Sequence, residues 1–283
     1  MRPDGKRLRN CDPMYTVAAY IMDKRMDSMN AITLDIPLEP IQEYLNKKRK
    51  EGHNISHMAV MLAAFLRTTA EYPELNRFIV NKKAYARNEF AVGMVVLKSG
   101  EASHGTMSKM YFNMTDTILD VNNTINKFVD ENRETPDNNG TEKLIKFLLS
   151  VPGILPVGVG IFKWLDKHGL LPKAIIDMSP FHNTMVISNL ASIRTNHIYH
   201  HIYEFGTTSM IMTMGNSREV PHRKGGEIVF EKCMPLGVVM DERIASGSYY
   251  AIAFRRMKQY LRNPELLETP PEKVVADPGL KKS

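Results

Sequence analysis

The spacing of apolar positions switches repeatedly between a period of two and a period near 3.6, which predicts interleaved strands and helices. Ala31–Leu38, with Thr33, Ile36 and Leu38 and bounded by Pro37 and Pro40, predicts a strand. Ile41–Lys50 predicts a helix whose last turn is Lys47-Lys48-Arg49-Lys50, where cations complement the helix dipole. Ser56 stands as N-cap before His57–Ala70, an Ala-, Met- and Leu-rich run that predicts a buried helix closed by Pro73. Arg77–Val80 and Phe90–Leu97 predict strands separated by a polar turn at Asn81-Lys82-Lys83. Ile118, Val121, Ile125 and Val129 predict a helix over Thr117–Val129. Buried strands are predicted at Thr184–Ser188, Ser209–Met214 and, within Val229–Met240, near Leu236–Met240. After the break at Ser246-Gly247, Tyr249–Arg262 predicts an amphipathic helix stopped by Asn263-Pro264. No repeat or linker divides this alternation, so residues 1–283 are expected to form one α/β domain.

Two segments depart from the alternation. Leu148–Leu165 is the most apolar stretch, but Pro152, Pro156, Gly153, Gly158 and Gly160 interrupt it and Lys163 charges it. It is expected to form two short helices packed on the body of the protein, not a membrane span. The tail, Glu268–Ser283, is rich in Pro and Lys and is expected to fray.

Composition narrows the class. With 283 residues, 43% hydrophobic and 24% charged, the chain has enough apolar side chain for a core without staples. Two cysteines, Cys11 and Cys233, are too few for a disulfide framework or a structural zinc site, so no metal and a reducing, cytoplasmic compartment are expected. The start, Met1–Cys11, carries Arg2, Lys6, Arg7 and Arg9 but no apolar run of signal-peptide length. The net charge of +6 suits a phosphorylated ligand; nucleic-acid binding lacks interleaved aromatics or a known module.

Several chemistries lack a signature. Gly158-Val159-Gly160 is too short for a dinucleotide loop, and no His-Glu-x-x-His, Cys-x-x-Cys or Gly-x-Ser-x-Gly occurs. Three other patterns occur in order. Tyr72-Pro73-Glu74-Leu75-Asn76 closes the apolar helix. Val186-Ile187-Ser188-Asn189-Leu190 ends a strand. Gly237–Asp241 leads into Glu242-Arg243-Ile244-Ala245-Ser246-Gly247 before the last helix, and Ser188 and Glu242 are 54 residues apart.

In these patterns the chain resembles the catalytic domain of the dihydrolipoamide acyltransferases of 2-oxo acid dehydrogenase complexes and, more distantly, chloramphenicol acetyltransferase. The resemblance runs from about Val17 to Leu267. It implies a two-layer α/β sandwich, with a mixed, largely antiparallel sheet and helices on one face. It also implies a homotrimer with active sites between subunits, acyl-coenzyme A as co-substrate and a small-molecule acyl acceptor. Since Val17 already lies in the core, no lipoyl or subunit-binding module is expected. The segment 140–176 is longer than in the family and is expected to act as a lid or enlarge a trimer contact.

By the same resemblance Ser188 donates a hydrogen bond to the oxyanion of the tetrahedral intermediate, and Asn189 and Ser246 fall at substrate-side positions. The family's general base, a histidine, is replaced here by Glu242, and the residue that supports it is replaced by Ser246. The change matters chemically. An imidazole near pKa 6.5 is matched to a thiol near 8.5, whereas a solvated carboxylate near 4.3 is about 3 kcal/mol further away. Glu242 is one candidate base. The adjacent pair His200-His201, twelve and thirteen residues past Ser188, is the other. If neither serves, the chain is a degenerate member that binds acyl or coenzyme A ligands or acts in assembly. Without the family, Ser-Asn is simply a common way to end a strand, and Met210, Met212 and Met214 are core residues before they are a channel.

Overall fold

The computed structural model describes residues 2–97, 105–134, 150 and 154–280. Its main sheet runs in the order β2-β10-β8-β7-β5-β6, where β2 is Met29–Pro37, β5 Phe90–Leu97, β6 Gly105–Phe112, β7 Met185–Asn189, β8 Met210–Met214 and β10 Glu227–Asp241. β7 pairs in parallel with both β5 and β8, and the other pairs are antiparallel. β9, Arg218–Lys224, continues beyond β8 along the first half of β10. A small second sheet, β1-β4-β3, joins Gly5–Arg7 to the hairpin Lys83–Arg87 and Arg77–Val80. Asn81 and Lys82 make its turn at φ 48° and 60°.

Helices cover one face of the main sheet. These are α2 (Glu39–Lys50), α3 (His57–Glu71), α4 (Ile118–Glu134) and α7 (Gly247–Arg262). The local chemistry is the expected one. Ser56 Oγ accepts the Ala59 amide at 3.1 Å, and Pro40 occupies the first turn of α2, where a missing N–H costs nothing. Every side chain of α3 from Ala59 to Ala70 is buried, because α3 lies between the sheet, α4 and α7. Strand residues divide by parity. Ile187, Met210, Met212, Leu236 and Val238 join the helix-side core, while Val186, Ile211 and Val239 face outward and pack under Ile202. The architecture is the expected two-layer sandwich, and no described helix is long and apolar enough to cross a membrane.

The part of the apolar stretch before residue 154, where the first of two short helices is expected, falls almost wholly outside the described residues; the rest forms one helix, α5 (Ile154–His168). Pro156 falls in its first turn, where the ring is tolerated. Two expectations are corrected. The helix α5 is not buried: Val157, Ile161 and Trp164 are 63%, 53% and 55% exposed, and its inward side is held by Asp166. Most of residues 140–153 lie outside the described residues. Finally, the tail does not fray through residue 280. Arg77 Nε and Nη2 meet the Asp277 carboxylate at 2.6 and 2.8 Å, the Val275 amide donates to Ala70 O, and Arg67 donates to Leu266 O and Thr269 O. Proline-rich sequence lacks helical or strand pattern, but it still docks when buried partners await it. The strands β4 and β9 carry too few apolar residues for their pattern to announce them.

Candidate active site

Ser188 lies near the end of β7 with its side chain on the outer face, opposite the helices. Strand pairing sets it in a lateral row: Ser188 opposite Thr213 of β8, Thr213 opposite Gly237 of β10, and Gly237 opposite Thr33 of β2. The half-buried Ser188 hydroxyl makes no hydrogen bond among the described residues. Asn189 is engaged in the backbone: its side chain accepts the Ser192 amide at 3.3 Å, capping the turn Leu190–Ile193.

The chain then crosses the outer face of that row. Thr213 Oγ1 donates to Ile198 O at 2.6 Å and accepts the Ile198 amide at 3.1 Å. His197 Nε2 lies 3.0 Å from Thr33 Oγ1, which also meets Tyr199 OH at 2.5 Å. His197 Nδ1 is buried with no hydrogen-bond partner among the described residues. Gly237 permits this approach, since a Cβ there would stand 2.5 Å from Ile198 O and 3.0 Å from His197 Cδ2. No local sequence pattern singles out His197, Thr33 or Tyr199 for this site. A glycine inside a strand, a mark of close backbone approach, was the one available signal.

Further along, Ile202 packs on Val186, Ile211 and Val239, and its amide meets Met29 Sδ at 3.1 Å. That places His200 and His201 toward the end of the sheet where Met29 pairs with Asp241. The two rings stack 4.7 Å apart beside Tyr203, and His200 Nδ1 meets His201 O at 2.8 Å. Arg25 secures the rest of the crossing from below. Fully buried, it donates to Tyr203 O, Gly206 O and Thr208 O at 2.8–3.0 Å and to Ile79 O at 3.3 Å. Burial lowers its pKa, and Asp241 works against that.

Glu242 follows the last residue of β10. Its turn is rigid: Arg243 meets both Asp241 carboxylate oxygens, at 2.8 and 2.6 Å, and Tyr250 OH donates to Asp241 O at 2.9 Å. The Glu242 carboxylate accepts Asn30 Nδ2 at 2.5 Å. Ser246 Oγ accepts the Tyr249 amide at 3.2 Å and so serves as N-cap of α7. Beside Asn30, between the β2 edge and α7, runs an open cavity of about 600 Å³, lined by Ile32, Met240 and Phe254 together with Arg255 and Lys258. A larger hollow of about 770 Å³ lies elsewhere, near Arg87, Tyr111 and the C-terminal segment, and holds none of the predicted site residues.

Glu242 is five positions along β10 from Gly237, and Ser188 is two strands away. At ~3.3 Å per residue and ~4.8 Å per strand the two side chains are roughly 20 Å apart. One chain therefore does not bring Ser188 and Glu242 to the same reacting atom.

Residues 177–269, which contain Ser188, Glu242 and Ser246, match the family model described as 2-oxoacid dehydrogenases acyltransferase (catalytic domain). The chain resembles that catalytic domain. No curated protein matches the sequence. Among solved structures, a probable dihydrolipoamide acetyltransferase from Listeria monocytogenes 4b F2365 aligns with TM-score 0.57 at 12% identity, over 96% of this chain and 98% of that one. The cubic core of a pyruvate dehydrogenase multienzyme complex aligns with TM-score 0.59 at 11% identity, over 90% and 88%. A chloramphenicol acetyltransferase aligns with TM-score 0.54 at 10% identity, over 91% and 99%. At such identities the likeness is one of fold.

Proposed function

We propose that this protein is a coenzyme A-dependent acyltransferase whose reacting site forms between two copies of the chain, closed into a homotrimer in the cytoplasm. The observation that carries the reading is the division of labour across the sheet. A Ser188 hydroxyl with no hydrogen bond among the described residues stands on the outer face of one end, and a carboxylate at Glu242 is presented by a braced turn roughly 20 Å away. Supporting it, Ile193, Ile198 and Tyr199 are exposed on the crossing segment beside Ser188, as suits a face covered by another subunit.

In this reading Glu242 of one copy takes the proton of an acceptor thiol, amine or hydroxyl. The acceptor attacks the thioester carbonyl, and Ser188 of the facing copy donates its hydroxyl hydrogen bond to the oxyanion. Collapse expels the coenzyme A thiolate, which recovers the proton from Glu242. Arg255 and Lys258, at the rim of the cavity beside Asn30, supply charge for the phosphates of coenzyme A. His200 and His201 are the other candidate base.

The test is thiol release from acetyl-coenzyme A with dihydrolipoamide as acceptor. Ser188→Ala is expected to lower kcat by about 10²-fold, the cost of one oxyanion donor, and Glu242→Gln to abolish turnover. If Glu242→Gln and a His200→Ala/His201→Ala variant both keep full activity, the mechanism is wrong. One observation favours a second reading, a non-catalytic ligand-binding or assembly protein. Glu242 is already hydrogen-bonded to Asn30, and Ser246 is committed to capping α7. Calorimetric binding of acetyl-coenzyme A without thiol release would select it.

A further inference from the structure

The β9–β10 hairpin gathers three side chains that are scattered in the sequence. Its two-residue turn, Gly225-Gly226, has φ of 60° and 93°, which suits a tight hairpin and fixes the register. In that register Val229 faces His222, Val220 faces Glu231 and Arg218 faces Cys233, so all six share one side of the ribbon. His222 Nε2 lies 3.1 Å from Glu231 Oε2, and Cys233 Sγ lies 3.9 Å from the same oxygen. The three ligand atoms all fall within 4.8 Å of one another.

We propose that His222, Glu231 and Cys233 form a binding site for one zinc-class divalent transition-metal ion. Zinc bonds of 2.0–2.3 Å in tetrahedral geometry set neighbouring ligand atoms about 3.3–3.8 Å apart. The observed separations need only small side-chain adjustments to meet that. A thiolate and an imidazole select a transition metal over magnesium or calcium, which prefer all-oxygen sites. One thiolate and one carboxylate balance the two positive charges of the ion. As the sulfur–metal bond forms, the Cys233 thiol gives its proton to solvent.

The surroundings leave a defined opening. Cys233 is 1% exposed and closes the site from below, while the His222 and Glu231 side chains are 47% and 40% exposed. The neighbouring cation, Arg218, is held by Asp35 at 2.9 and 3.1 Å. The fourth position is left to water or a group from outside the hairpin. Bound there, the ion ties β9 to β10 at the base of a ribbon that displays Ile228 and Phe230, 65% and 67% exposed. This inference stands apart from the acyl-transfer reading, since none of the three residues belongs to that site.

The experiment uses the full chain, stripped with a chelator and titrated with Co²⁺ and then Zn²⁺. One ion per chain and a thiolate-to-cobalt charge-transfer band are expected. Cys233→Ser should lose the band, and Cys11→Ser should keep it. His222→Asn, at an exposed position, should weaken Zn²⁺ binding by more than about 100-fold, because even outer partners of a ligand cost 10–100-fold. It keeps the test decisive if Cys233→Ser disturbs folding. Absence of a thiolate band, sub-stoichiometric binding, loss of the band in Cys11→Ser, or unchanged affinity in His222→Asn overturns the proposal.

Discussion

His182 shares a hydrogen bond with Ser179 Oγ through Nδ1 at 2.7 Å, and its Nε2 lies 3.3 Å from Asp166 Oδ1 without hydrogen-bond alignment. Asp166 is also held by Arg2 at 2.7 Å. Burial lowers the His182 pKa more than the Asp166 carboxylate raises it. Burial works to raise the Asp166 pKa, but His182 and Arg2 together hold it below the ordinary carboxylate value. The unfolded chain therefore binds a proton at His182 more readily than the folded one does. Stability from this group is present above pH ~6.5 and is lost as the pH falls below it. Between pH 7.5 and 5.5 the wild type should lose up to about 1.4 kcal/mol more than His182→Gln, read as a difference in urea midpoints. Equal losses in the two proteins would remove His182 from the acid response.

At the scale of elements, the segment from Arg194 to Thr208 has no regular structure of its own. It is held to the sheet by Thr213, by the absence of a side chain at Gly237 and by the carbonyl contacts of Arg25. Gly237→Ala places a methyl group where Ile198 O and His197 already sit, at an expected cost of about 1–3 kcal/mol, typical of overpacking. Because the added methyl presses on the crossing segment rather than on the helix-side core, trypsin cleavage after the exposed Arg194 should accelerate as well. An unchanged urea midpoint with unchanged cleavage would show that the segment yields without cost. The same contacts explain why the site was half legible. Ser188 and Glu242 end or follow patterned strands, so their positions at strand ends follow from periodicity, while their candidacy follows from the family resemblance. His197 owes its place to a register between β2, β8 and β10, which no local pattern encodes.

At the scale of the whole molecule, the sheet separates Ser188 from Glu242, and under the proposed mechanism activity is a property of the assembly. Ser188→Ala and Glu242→Gln chains, each inactive alone, are expected to regain activity when unfolded together and reassembled. With random mixing in a cyclic oligomer, roughly one quarter of the interfaces pair an intact Ser188 with an intact Glu242. No recovery in oligomers confirmed as mixed would place both residues in a single-chain site or remove one of them from it. The outward-facing apolar side chains of α5 and of the segment beside Ser188 put the same demand on partners.

Local chemistry by itself determined most elements. Ser56 caps α3, proline and glycine end the helices, and alternating Met and Val mark the buried strands, because each of these depends on neighbours a few residues away. The order of three short patterns carried the family resemblance, and that resemblance implied the two-layer sandwich. Tertiary structure alone decided what depends on distant partners. The proline-rich tail docks because Arg77, buried 200 positions earlier, needs the Asp277 carboxylate. His222 meets Glu231 and Cys233 only because a two-glycine turn folds one strand back on another, and Ser188 and Glu242 are parted because the register sets Ser188 two strands across from Gly237, five positions before Glu242 on β10.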